Sequence, residues 1–566
     1  MENFKVVFCA LNSKYIHSSL APWCLFTSCK NKCCSGVELK VVEGTVNEKN
    51  GDILSRILFE KLDMIGFSCY IWNIEKVLCL TQKIKELQPH IKIILGGPEA
   101  SYNQKKLMFE NPSVDFVVSG VGEVSVPMLI NGIFTNSGID VPGVSYRSEK
   151  GIYIDTREAD ADESISPYCK EYFESLSGRI AYIESSRGCP FNCAFCLSGR
   201  LGKVRYINLE RVKNEMVRLS AMGAKTVKFV DRTFNCNKKR AGEILRFIGE
   251  HYGKAIIEGT CFHFEIAADL LDDELFDIIK NLPCGAVQFE IGIQSFNEKT
   301  LSAINRKTDI EKVCGNIKRL LSFRNCHIHT DLIAGLPEED YESFVKGFNK
   351  AYELKSDMLQ LGFLKILKGS PMGDNPEKYP CEHSQIPPYE VISTPWISKE
   401  ELEKLHTAEN ELERLYNSGR FRRTLDYVLS VCSGSAYELF LNFGEYLKEN
   451  GKSGSMPLDS YTNTVYDFFN SVSGVDKTRL RNAMICDRIA TNNSGVIPEK
   501  LKVKDRNLKK IMNLIRQDNP LKPGTNRTVA ILYGENRAVY CDYEKKNSVS
   551  GEYQLKFFDI STENEG

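Results

Sequence analysis

Short β-branched runs alternate with helical patterns along residues 1–135 and again along 179–375, and this alternation constrains the fold more than any other feature. Before residue 135 the runs are "FKVVFCAL" at 4–11, "VELKVVEG" at 37–44, "DMIGFSCY" at 63–70, "IKIILGG" at 91–97 and "VDFVVSG" at 114–120. Strict alternation of strand and helix is typical of a parallel sheet with helices on both faces. Residues 1–135 are therefore expected to form a Rossmann-like, doubly wound α/β domain.

The alternation stops near residue 135 and returns near residue 179. Residues 136–178 are predicted to form a linker with a hairpin near 143–155. From 179 to 380, six strand-like runs separated by helical patterns predict a partial parallel barrel of the (β/α)6 type. Residues 381–566 contain long helical patterns and predict a mostly helical C-terminal domain. Several domains are expected in any case, because a chain of 566 residues is too long for one hydrophobic core.

Charge and hydropathy narrow the possible partners. Lysine and arginine number 73 against 74 aspartates and glutamates, so a global attraction to nucleic acid or to an anionic membrane is not expected. The basic stretch at 498–527 contains no aromatic residue that could stack on a base, and it is interpreted as a solvated helix face. No apolar run approaches about 18 residues and the N-terminus reads as a strand. A cytoplasmic protein without a membrane span is therefore expected.

Three cysteines lie within eight residues in "SRGCPFNCAFC" at 186–196, just after the first strand of the predicted barrel. Thiolates with C-x3-C-x2-C spacing can converge on one soft metal centre. A structural zinc site uses four ligands, and no fourth cysteine or histidine is close in sequence. A four-iron cubane held by three cysteines keeps one iron open for a substrate. Ordinary core cysteines and a zinc knuckle are the alternatives.

This motif, with Phe195 as the aromatic residue before the last cysteine, resembles the signature of the radical S-adenosylmethionine (SAM) superfamily. The resemblance implies that Cys189, Cys193 and Cys196 ligate a [4Fe–4S] cluster whose open iron chelates SAM, and that reduction yields a 5′-deoxyadenosyl radical. It implies no catalytic residue beyond the cluster ligands. It also implies contacts to SAM from residues near the strand ends: Asp231, Glu265, Gln294, Ser295 and Asp331.

The first domain resembles the cobalamin-binding domain that precedes the barrel in one branch of this superfamily. Its strand-to-helix junctions would lie on one sheet edge, where a flat macrocycle could bind. The implied cobalamin contacts are Asn12, Tyr15, Ser68, Gly96, Gly97, Pro98, Gly120, Gly122 and Glu123. A bulky side chain at Gly97 is expected to block the macrocycle without unfolding the sheet. The usual motif for an axial histidine is missing, and His17 is expected to be a hydrogen-bonding loop residue.

A methylthiotransferase type of first domain is the alternative, because such domains carry a second cluster on strand-end cysteines. Cys9 and Cys69 lie near the ends of two predicted strands, but the fourth strand ends in Gly96-Gly97-Pro98 without a cysteine. The region after 380 resembles a C-terminal domain of unknown function found in a subset of cobalamin-type radical SAM proteins, and this resemblance says nothing about substrate.

Together these resemblances imply a cobalamin-dependent radical SAM enzyme. They favour methyl transfer to an unactivated atom, because methyl transfer is the commonest chemistry of the resembling architecture. A small-molecule or peptide substrate and a reductant such as a flavodoxin or ferredoxin are the expected partners. Rearrangement or cyclisation without methylation stays open. A non-catalytic iron–sulfur protein is disfavoured, since an electron carrier gains nothing from an open iron.

Overall fold

The computed structural model describes residues 4–160 and 164–560, so residues 161–163 of the expected linker lie outside the description. The chain separates into two compact units. The first runs to Ala267 and also contains Ile304–Arg306 and Leu364–Thr394. The second contains Ala268–Ala303, Lys307–Phe363 and the chain from Pro395 onward.

The N-terminal sheet of the first unit has seven strands in the order β2-β1-β3-β4-β5-β6-β7. They are β1 (Phe4–Asn12), β2 (Val37–Thr45), β3 (Met64–Ser68), β4 (Lys92–Gly96), β5 (Phe116–Val118), β6 (Val144–Ser148) and β7 (Gly151–Tyr153). The helices are α1 (Ala21–Lys32), α2 (Asn50–Phe59), α3 (Ile74–Leu87), α4 (Pro98–Ser101), α5 (Gln104–Glu110) and α6 (Gly122–Phe134). The first five strands pair in parallel, which confirms the doubly wound prediction.

Burial explains why these strands read as continuous apolar runs. In β1, the side chains from Val6 to Leu11 are all buried, as expected where helices cover both faces of a parallel sheet. Helix α3 packs on the sheet through Val77, Leu80 and Ile84. The predicted hairpin near 143–155 is present as β6 and β7, and β6 pairs antiparallel with β5. Part of the expected linker therefore extends the first sheet.

The first unit continues with the start of the second α/β region. It contains α7 (Lys170–Ser175), β8 (Ala181–Ile183), β9 (Ser186–Arg187), β10 (Arg205–Tyr206), α8 (Leu209–Ala221), β11 (Thr226–Phe229), α9 (Lys238–His251) and β12 (Cys261–Ile266). Strand β11 pairs in parallel with both β8 and β12. Asn208 and Asn237 cap α8 and α9 by accepting backbone hydrogen bonds, which fixes where each helix starts.

The second unit contains three further strands of this region. Its elements are α10 (Asp273–Lys280), β13 (Val287–Gln294), α11 (Glu298–Ala303), α12 (Ile310–Phe323), β14 (His327–Ala334), α13 (Tyr341–Glu353) and β15 (Met358–Phe363). Strand β14 pairs in parallel with β13 and β15. Buried apolar residues alternate with half-buried positions along β13, so one face of the strand is apolar and the other is partly polar. The six predicted parallel strands are all present, three in each unit.

The remaining elements are short in the first unit and mostly helical in the second. The first unit adds α14 (Pro371–Asp374), β16 (Glu382–His383) and β17 (Val391–Ser393). The second adds α15 (Lys399–Glu411), α16 (Arg422–Val431), α17 (Ala436–Glu449), α18 (Leu458–Ser471), α19 (Lys477–Thr491), α20 (Leu508–Asp518), β18 (Thr528–Leu532), β19 (Arg537–Cys541) and β20 (Lys556–Asp559). The helical C-terminal prediction is confirmed. In the described ranges, no helix is both long and apolar enough to cross a bilayer.

Candidate cofactor sites

The three clustered cysteines lie on a loop whose two ends are held together. Strand β9 precedes the loop, β10 follows it, and the two pair antiparallel with Arg187 opposite Arg205. At the start of the loop, Gly188 has a φ of 97°, and a Cβ there would lie 2.9 Å from the carbonyl oxygen of Lys203. Only glycine fits this conformation and this approach. Residues 188–204 therefore form a loop after β8 whose two ends are paired with each other, and we call it the cysteine loop.

The thiols of Cys189, Cys193 and Cys196 converge within this loop. The Sγ of Cys189 lies 3.5 Å from Thr233 Oγ1, and the Sγ of Cys196 accepts a hydrogen bond of 3.4 Å from the Ser198 amide. Cys193 is only 7% exposed. Burial raises the pKa of the Cys193 thiol, Arg306 lowers it, and the neighbouring Cys196 and Cys189 raise it. Since a metal ligand must be the thiolate, a bound cation would favour deprotonation here.

The spacing of the three sulfur atoms bears on the kind of metal centre that they would suit. One zinc ion with Zn–S bonds of about 2.3 Å would bring its sulfur ligands to within roughly 4 Å of one another. Within the described ranges, the three sulfur atoms do not form a group in which all lie within 4.8 Å of one another. Three converging but separated thiols fit a polynuclear iron–sulfur cluster better than one tetrahedral ion.

Asp231 supports the start of the cysteine loop. It follows β11 and, in the parallel register, lies opposite Ser185, because Phe229 pairs with Ile183. Its Oδ1 accepts from the Ser185 amide at 2.8 Å, and its Oδ2 accepts from the hydroxyls of Ser185 at 2.7 Å and of Ser186. The side chain is 1% exposed, and burial raises its pKa. These contacts occupy the carboxylate, so its assignment as a SAM contact stays a prediction without support from this geometry.

Glu265 lies on β12 and is half-buried. Its Oε1 is 3.8 Å from Lys228 Nζ of the neighbouring strand β11. In the register between these strands, Lys228 lies opposite His263. Glu265 is two residues after His263, so Lys228, His263 and Glu265 share one face of the sheet. The proposed contact of Glu265 with SAM stays a prediction.

Two of the predicted SAM contacts end β13 in the second unit. Gln294 has a φ of 72° beside a β-bulge, and its Oε1 is buried without a hydrogen-bond partner among residues 4–160 and 164–560. Ser295 is buried and its hydroxyl donates to Glu339 Oε1 at 2.5 Å. Gln294 thus keeps an acceptor that no donor satisfies within the described part of the chain, whereas the Ser295 hydroxyl is occupied.

Asp331, the remaining predicted SAM contact, belongs to a polar group on β13 and β14. Its Oδ1 lies 2.9 Å from His329 Nε2. The register places Glu290 opposite His329 and Gly292 opposite Asp331. The ligand atoms of Glu290, His329 and Asp331 all lie within 4.8 Å of one another. The strand period of two therefore gathers an imidazole and two carboxylates on one face.

A cavity of about 280 Å³ lies at the strand ends of the N-terminal sheet, between α1 and α6. Six of the predicted cobalamin contacts line it: Ser68, Gly96, Gly97, Gly120, Gly122 and Glu123. Further lining residues that sequence reasoning did not single out include Val126, Glu184 and Arg187. A Cβ built at Gly120 would meet no atom within 4 Å, so the edge is open at that residue. We call this cavity the strand-end cleft.

Three predicted cobalamin contacts do not line the strand-end cleft. Asn12 is buried and donates to Glu43 Oε2 at 2.9 Å, while Tyr15 is 74% exposed beside Arg179. Pro98 begins α4 just beyond the cleft lining. His17 does not line the cleft either, and its Nδ1 lies 2.7 Å from the Tyr182 hydroxyl, as expected for a hydrogen-bonding loop residue.

Arg187 links the strand-end cleft to the cysteine loop. It precedes Gly188, lines the cleft, forms an ion pair with Glu123 and donates from Nε to Glu184 Oε2 at 2.7 Å. Burial raises the pKa of Glu184, and Arg187 opposes that shift. No periodic pattern marks Arg187. The available signal was its position directly before the cysteine motif.

The prediction that a bulky side chain at Gly97 would leave the sheet intact is wrong. Gly97 has a φ of 97°, and a Cβ there would lie 2.6 Å from the carbonyl oxygen of Cys69. Any side chain would therefore strain the turn itself. Gly96 also lines the cleft, has no positive φ, and its Cβ would lie 3.5 Å from the Val118 carbonyl oxygen. Gly96 is the suitable position for a blocking substitution.

The structure gives the methylthiotransferase alternative no support at Cys9 and Cys69. Both are core residues with at most 1% exposure, and burial raises the pKa of each thiol. At the end of β4, where a further strand-end cysteine would be expected, the chain has Gly96-Gly97-Pro98.

Comparison with known families assigns three successive regions. Residues 8–130 match the B12 binding domain, residues 183–350 match the radical SAM superfamily, and residues 377–531 match a protein of unknown function (DUF4080). The chain therefore contains a B12-binding domain, a radical SAM domain and a C-terminal DUF4080 region. The radical SAM domain implies a [4Fe–4S] cluster and SAM, and the B12-binding domain implies cobalamin.

Several named relatives are similar to about half of this chain at low identity. The chain is 25% identical over 338 residues to the cobalamin-dependent radical SAM methyltransferase TokK of Streptomyces tokunonensis, covering 56% of this chain and 48% of TokK. It is 26% identical to the hopanoid C-3 methylase of Methylococcus capsulatus, covering 55% and 60%. A putative methylthiotransferase of Methanocaldococcus jannaschii is 27% identical, covering 47% and 59%. The chain spans about half the length of TokK.

Two solved structures have the same fold. OxsB, a cobalamin-dependent SAM radical enzyme with aqua-cobalamin and SAM bound, gives a TM-score of 0.59 at 14% identity, covering 92% of this chain and 81% of OxsB. The methyltransferase TsrM of Kitasatospora setae, with cobalamin and a [4Fe–4S] cluster bound, gives 0.54 at 17% identity, covering 66% and 74%. At this identity the likeness concerns the fold.

Proposed function

We propose that this chain is a cobalamin-dependent radical SAM enzyme that transfers a methyl group to an unactivated atom of a small-molecule substrate. The observation that supports it most is Arg187, which lines the strand-end cleft and directly precedes the cysteine loop. Methyl transfer of this kind needs a radical generator and a methyl donor beside one substrate. Because Arg187 belongs to both candidate cofactor sites, the two sites are close enough for both cofactors to act on one substrate.

The donor sets fit the implied groups. Three thiols that converge without meeting at one point suit a cluster, and the glycines of the strand-end cleft leave an edge on which a flat macrocycle can lie. We infer that Cys189, Cys193 and Cys196 hold the cluster, and that Gly96, Gly120 and their neighbours contact cobalamin. When bound, SAM on the cluster supplies hydrogen abstraction and cobalamin supplies a transferable methyl group.

The chain's own residues bind and orient. The Arg187 guanidinium bridges Glu123 and Glu184, which fixes the entry to the cysteine loop relative to the cleft wall. Asp231 holds Ser185 and Ser186 at the base of the same loop. The contacts of Arg187 and Asp231 keep the cysteine loop in one conformation, so little reorganisation is needed when a substrate binds.

A small-molecule substrate is supported by one solved relative. TsrM has been observed with a tryptophan substrate and a SAM analogue bound, at a TM-score of 0.54 and 16% identity. Polar side chains on the strands, such as Glu290 and His329, would suit a substrate with hydrogen-bonding groups. Because reductive cleavage of SAM consumes an electron, we infer a one-electron donor such as a flavodoxin or ferredoxin.

The test uses SAM carrying a deuterated methyl group. The anaerobically reconstituted chain is incubated with labelled SAM, reductant, cobalamin and extract from a strain that lacks the protein. Methyl transfer should place the label in a new product and yield both S-adenosylhomocysteine and 5′-deoxyadenosine. The matched control is the variant with all three cluster cysteines changed to alanine, which should yield neither product.

A different result would reassign the chemistry. Formation of 5′-deoxyadenosine with an unlabelled product, and without S-adenosylhomocysteine, would reject methylation and support rearrangement or cyclisation. Absence of 5′-deoxyadenosine from a protein that retains its iron would reject radical SAM activity altogether.

A further inference from the structure

The segment Leu364–Thr394, here called the strap, belongs to the first unit although it follows β15 of the second. It folds back on itself, because the Val391 amide donates to the Leu364 carbonyl at 2.9 Å and the Ile366 amide donates to the Tyr389 carbonyl at 3.0 Å. From residue 377 onward, the strap lies in the region that matches the protein of unknown function. Its contacts therefore bear on what that region does.

One part of the strap contacts the turn that follows β4. Glu99 on this turn is 3% exposed, and its Oε2 accepts from the Tyr389 hydroxyl at 2.6 Å and from Lys368 Nζ at 3.1 Å. Lys368 Nζ also donates to the Tyr389 oxygen at 2.6 Å. The three side chains form a closed, charge-balanced cluster, in which Lys368 compensates the charge of the buried Glu99 carboxylate and the Tyr389 hydroxyl adds a hydrogen bond to it.

The backbone of the strap is shaped for this cluster. Tyr389 has a φ of 61°, which is uncommon for a residue with a side chain and is held only where surrounding contacts enforce it. Its ring is buried, and burial together with Glu99 raises the pKa of the Tyr389 phenol. The phenol therefore stays neutral and keeps donating to the Glu99 carboxylate.

Another part of the strap contacts the cysteine loop. The Met372 amide donates at 3.0 Å to the carbonyl oxygen of Ala194, which lies between two of the cluster cysteines. Asp374 forms an ion pair with Arg200, near the end of the loop. The Arg200 guanidinium in turn lies 5.4 Å from the ring centroid of Tyr102, the residue after α4.

Gly369 allows the strap to approach that ring. Its φ is 81°, and a Cβ there would overlap the Tyr102 ring. The turn after β4 is connected to the strand-end cleft, because the amides of Ala100 and Ser101 both donate to the carbonyl of Gly97, which lines the cleft. A displacement of Glu99 would therefore change the cleft.

We propose that the strap is a brace that sets the position of the β4 turn, on the cobalamin side, relative to the cysteine loop, on the cluster side. Lys368 and Tyr389 are positioning residues on the first side, and Asp374 is the positioning residue on the second. The terms cobalamin side and cluster side rest on the proposed function, whereas the contacts that the strap makes do not depend on it.

Hydrogen exchange on the cofactor-free full chain tests the brace directly. Tyr389→Phe removes one donor to Glu99 and should speed exchange at the β4 turn and also at amides 194–200 of the cysteine loop. Asp374→Asn should show the reciprocal effect on the turn. The expected increase is about tenfold for Tyr389→Phe, the value of one hydrogen bond to a charged group. For Asp374→Asn it is about twofold to fivefold, because the ion pair with Arg200 is exposed to solvent. Faster exchange confined to the loop next to each substitution would overturn the proposal.

Two further variants separate positioning from loss of folding. Lys368→Met should raise the exchange rates of the β4 turn and the cysteine loop. Lys368→Arg keeps the charge and should leave these rates at the wild-type values. Lys30→Met is the matched control, since Lys30 Nζ forms an ion pair of 3.0 Å with Glu171 elsewhere in the same unit. It should change neither the turn nor the cysteine loop. An equal effect of Lys30→Met on both would show general destabilisation and overturn the brace.

The reconstituted protein gives a second readout that needs no turnover. In the wild type, the reduced cluster should enhance relaxation of the Co(II) cobalamin signal in electron paramagnetic resonance. Tyr389→Phe at full occupancy of both cofactors should change that enhancement, and an unchanged value would count against the brace. A wild type that binds neither cofactor would refute the proposed function, while hydrogen exchange would still decide the brace.

Discussion

Glu339 gives the sharpest prediction of pH-dependent stability in this chain. It follows β14 in the second unit, is 2% exposed, and its Oε1 accepts the Ser295 hydroxyl at 2.5 Å. Its Oε2 is buried and has no hydrogen-bond partner among the residues that the structure describes. An ionised carboxylate with one unsatisfied oxygen is costly to bury, so the perturbation of interest is Glu339→Gln.

The magnitude follows from the proton affinity of this carboxyl group. Burial, opposed by Ser295 and reinforced by Asp340, raises the pKa of Glu339 from the ordinary 4.5 to about 7. Because the folded state holds the proton more tightly than the unfolded state, this group lowers the free energy of unfolding as pH rises from 4.5 to 7. At about 1.4 kcal/mol per pH unit, the full effect approaches about 3 kcal/mol. A neutral amide removes the dependence.

The assay compares thermal midpoints of wild type and Glu339→Gln at pH 5 and at pH 8, on the cofactor-free chain and for the transition that includes the second unit. The variant should gain stability relative to the wild type as pH rises. Glu353→Gln is the matched control, because Glu353 is exposed at the end of α13. It should show no such change. A difference between wild type and Glu339→Gln that is the same at both pH values would refute the reasoning.

Three other substitutions test the candidate cofactor sites. Changing the three cluster cysteines to alanine should remove about four irons per chain and the broad visible absorption while the chain stays folded, as judged by metal analysis and circular dichroism; unchanged iron would exclude the assignment. Gly96→Phe should weaken cobalamin binding at least tenfold in a spectroscopic titration because its side chain would enter the cleft, whereas Gly315→Ala on α12 should not. Asp231→Asn puts an amide donor against the Ser185 donors. It should lower iron retention about tenfold, in line with loss of a charge-assisted hydrogen bond. Full iron retention would show that Asp231 does not hold the cysteine loop.

The strands were predictable because their signal is local. Burial on both faces demands apolar side chains at every position, so β4 could be expected at 91–97 and is observed at Lys92–Gly96. The hairpin near 143–155 was also expected from its own residues. Its pairing with β5 was not, because an edge strand carries no local mark of the strand it will join.

The cysteine loop was predictable for the same reason, since its ligands lie within eight residues. The supporting contacts were not. Glu99 and Tyr389 are 290 positions apart, and neither belongs to a motif. Gly97 was recognised as a glycine that matters, but the reason lies in the Cys69 carbonyl, which only the folded turn brings close. Sequence patterns thus indicate the ligands, and the structure reveals what holds them.

The polar face of β13 and β14 bears on the kind of substrate that the fold can accept. Strands in parallel barrels usually fill their interior with Val, Ile and Leu, which can exclude a ligand but cannot recognise one. Here Glu290, His329 and Asp331 share one face, with His329 Nε2 only 2.9 Å from Asp331 Oδ1. Buried and half-buried polar groups need hydrogen-bonding or charged partners, and the contact between His329 and Asp331 supplies one of them. An apolar molecule placed against this face would desolvate these polar side chains without offering them a hydrogen bond. Under the proposed function, a substrate bound against this face should therefore carry hydrogen-bonding groups.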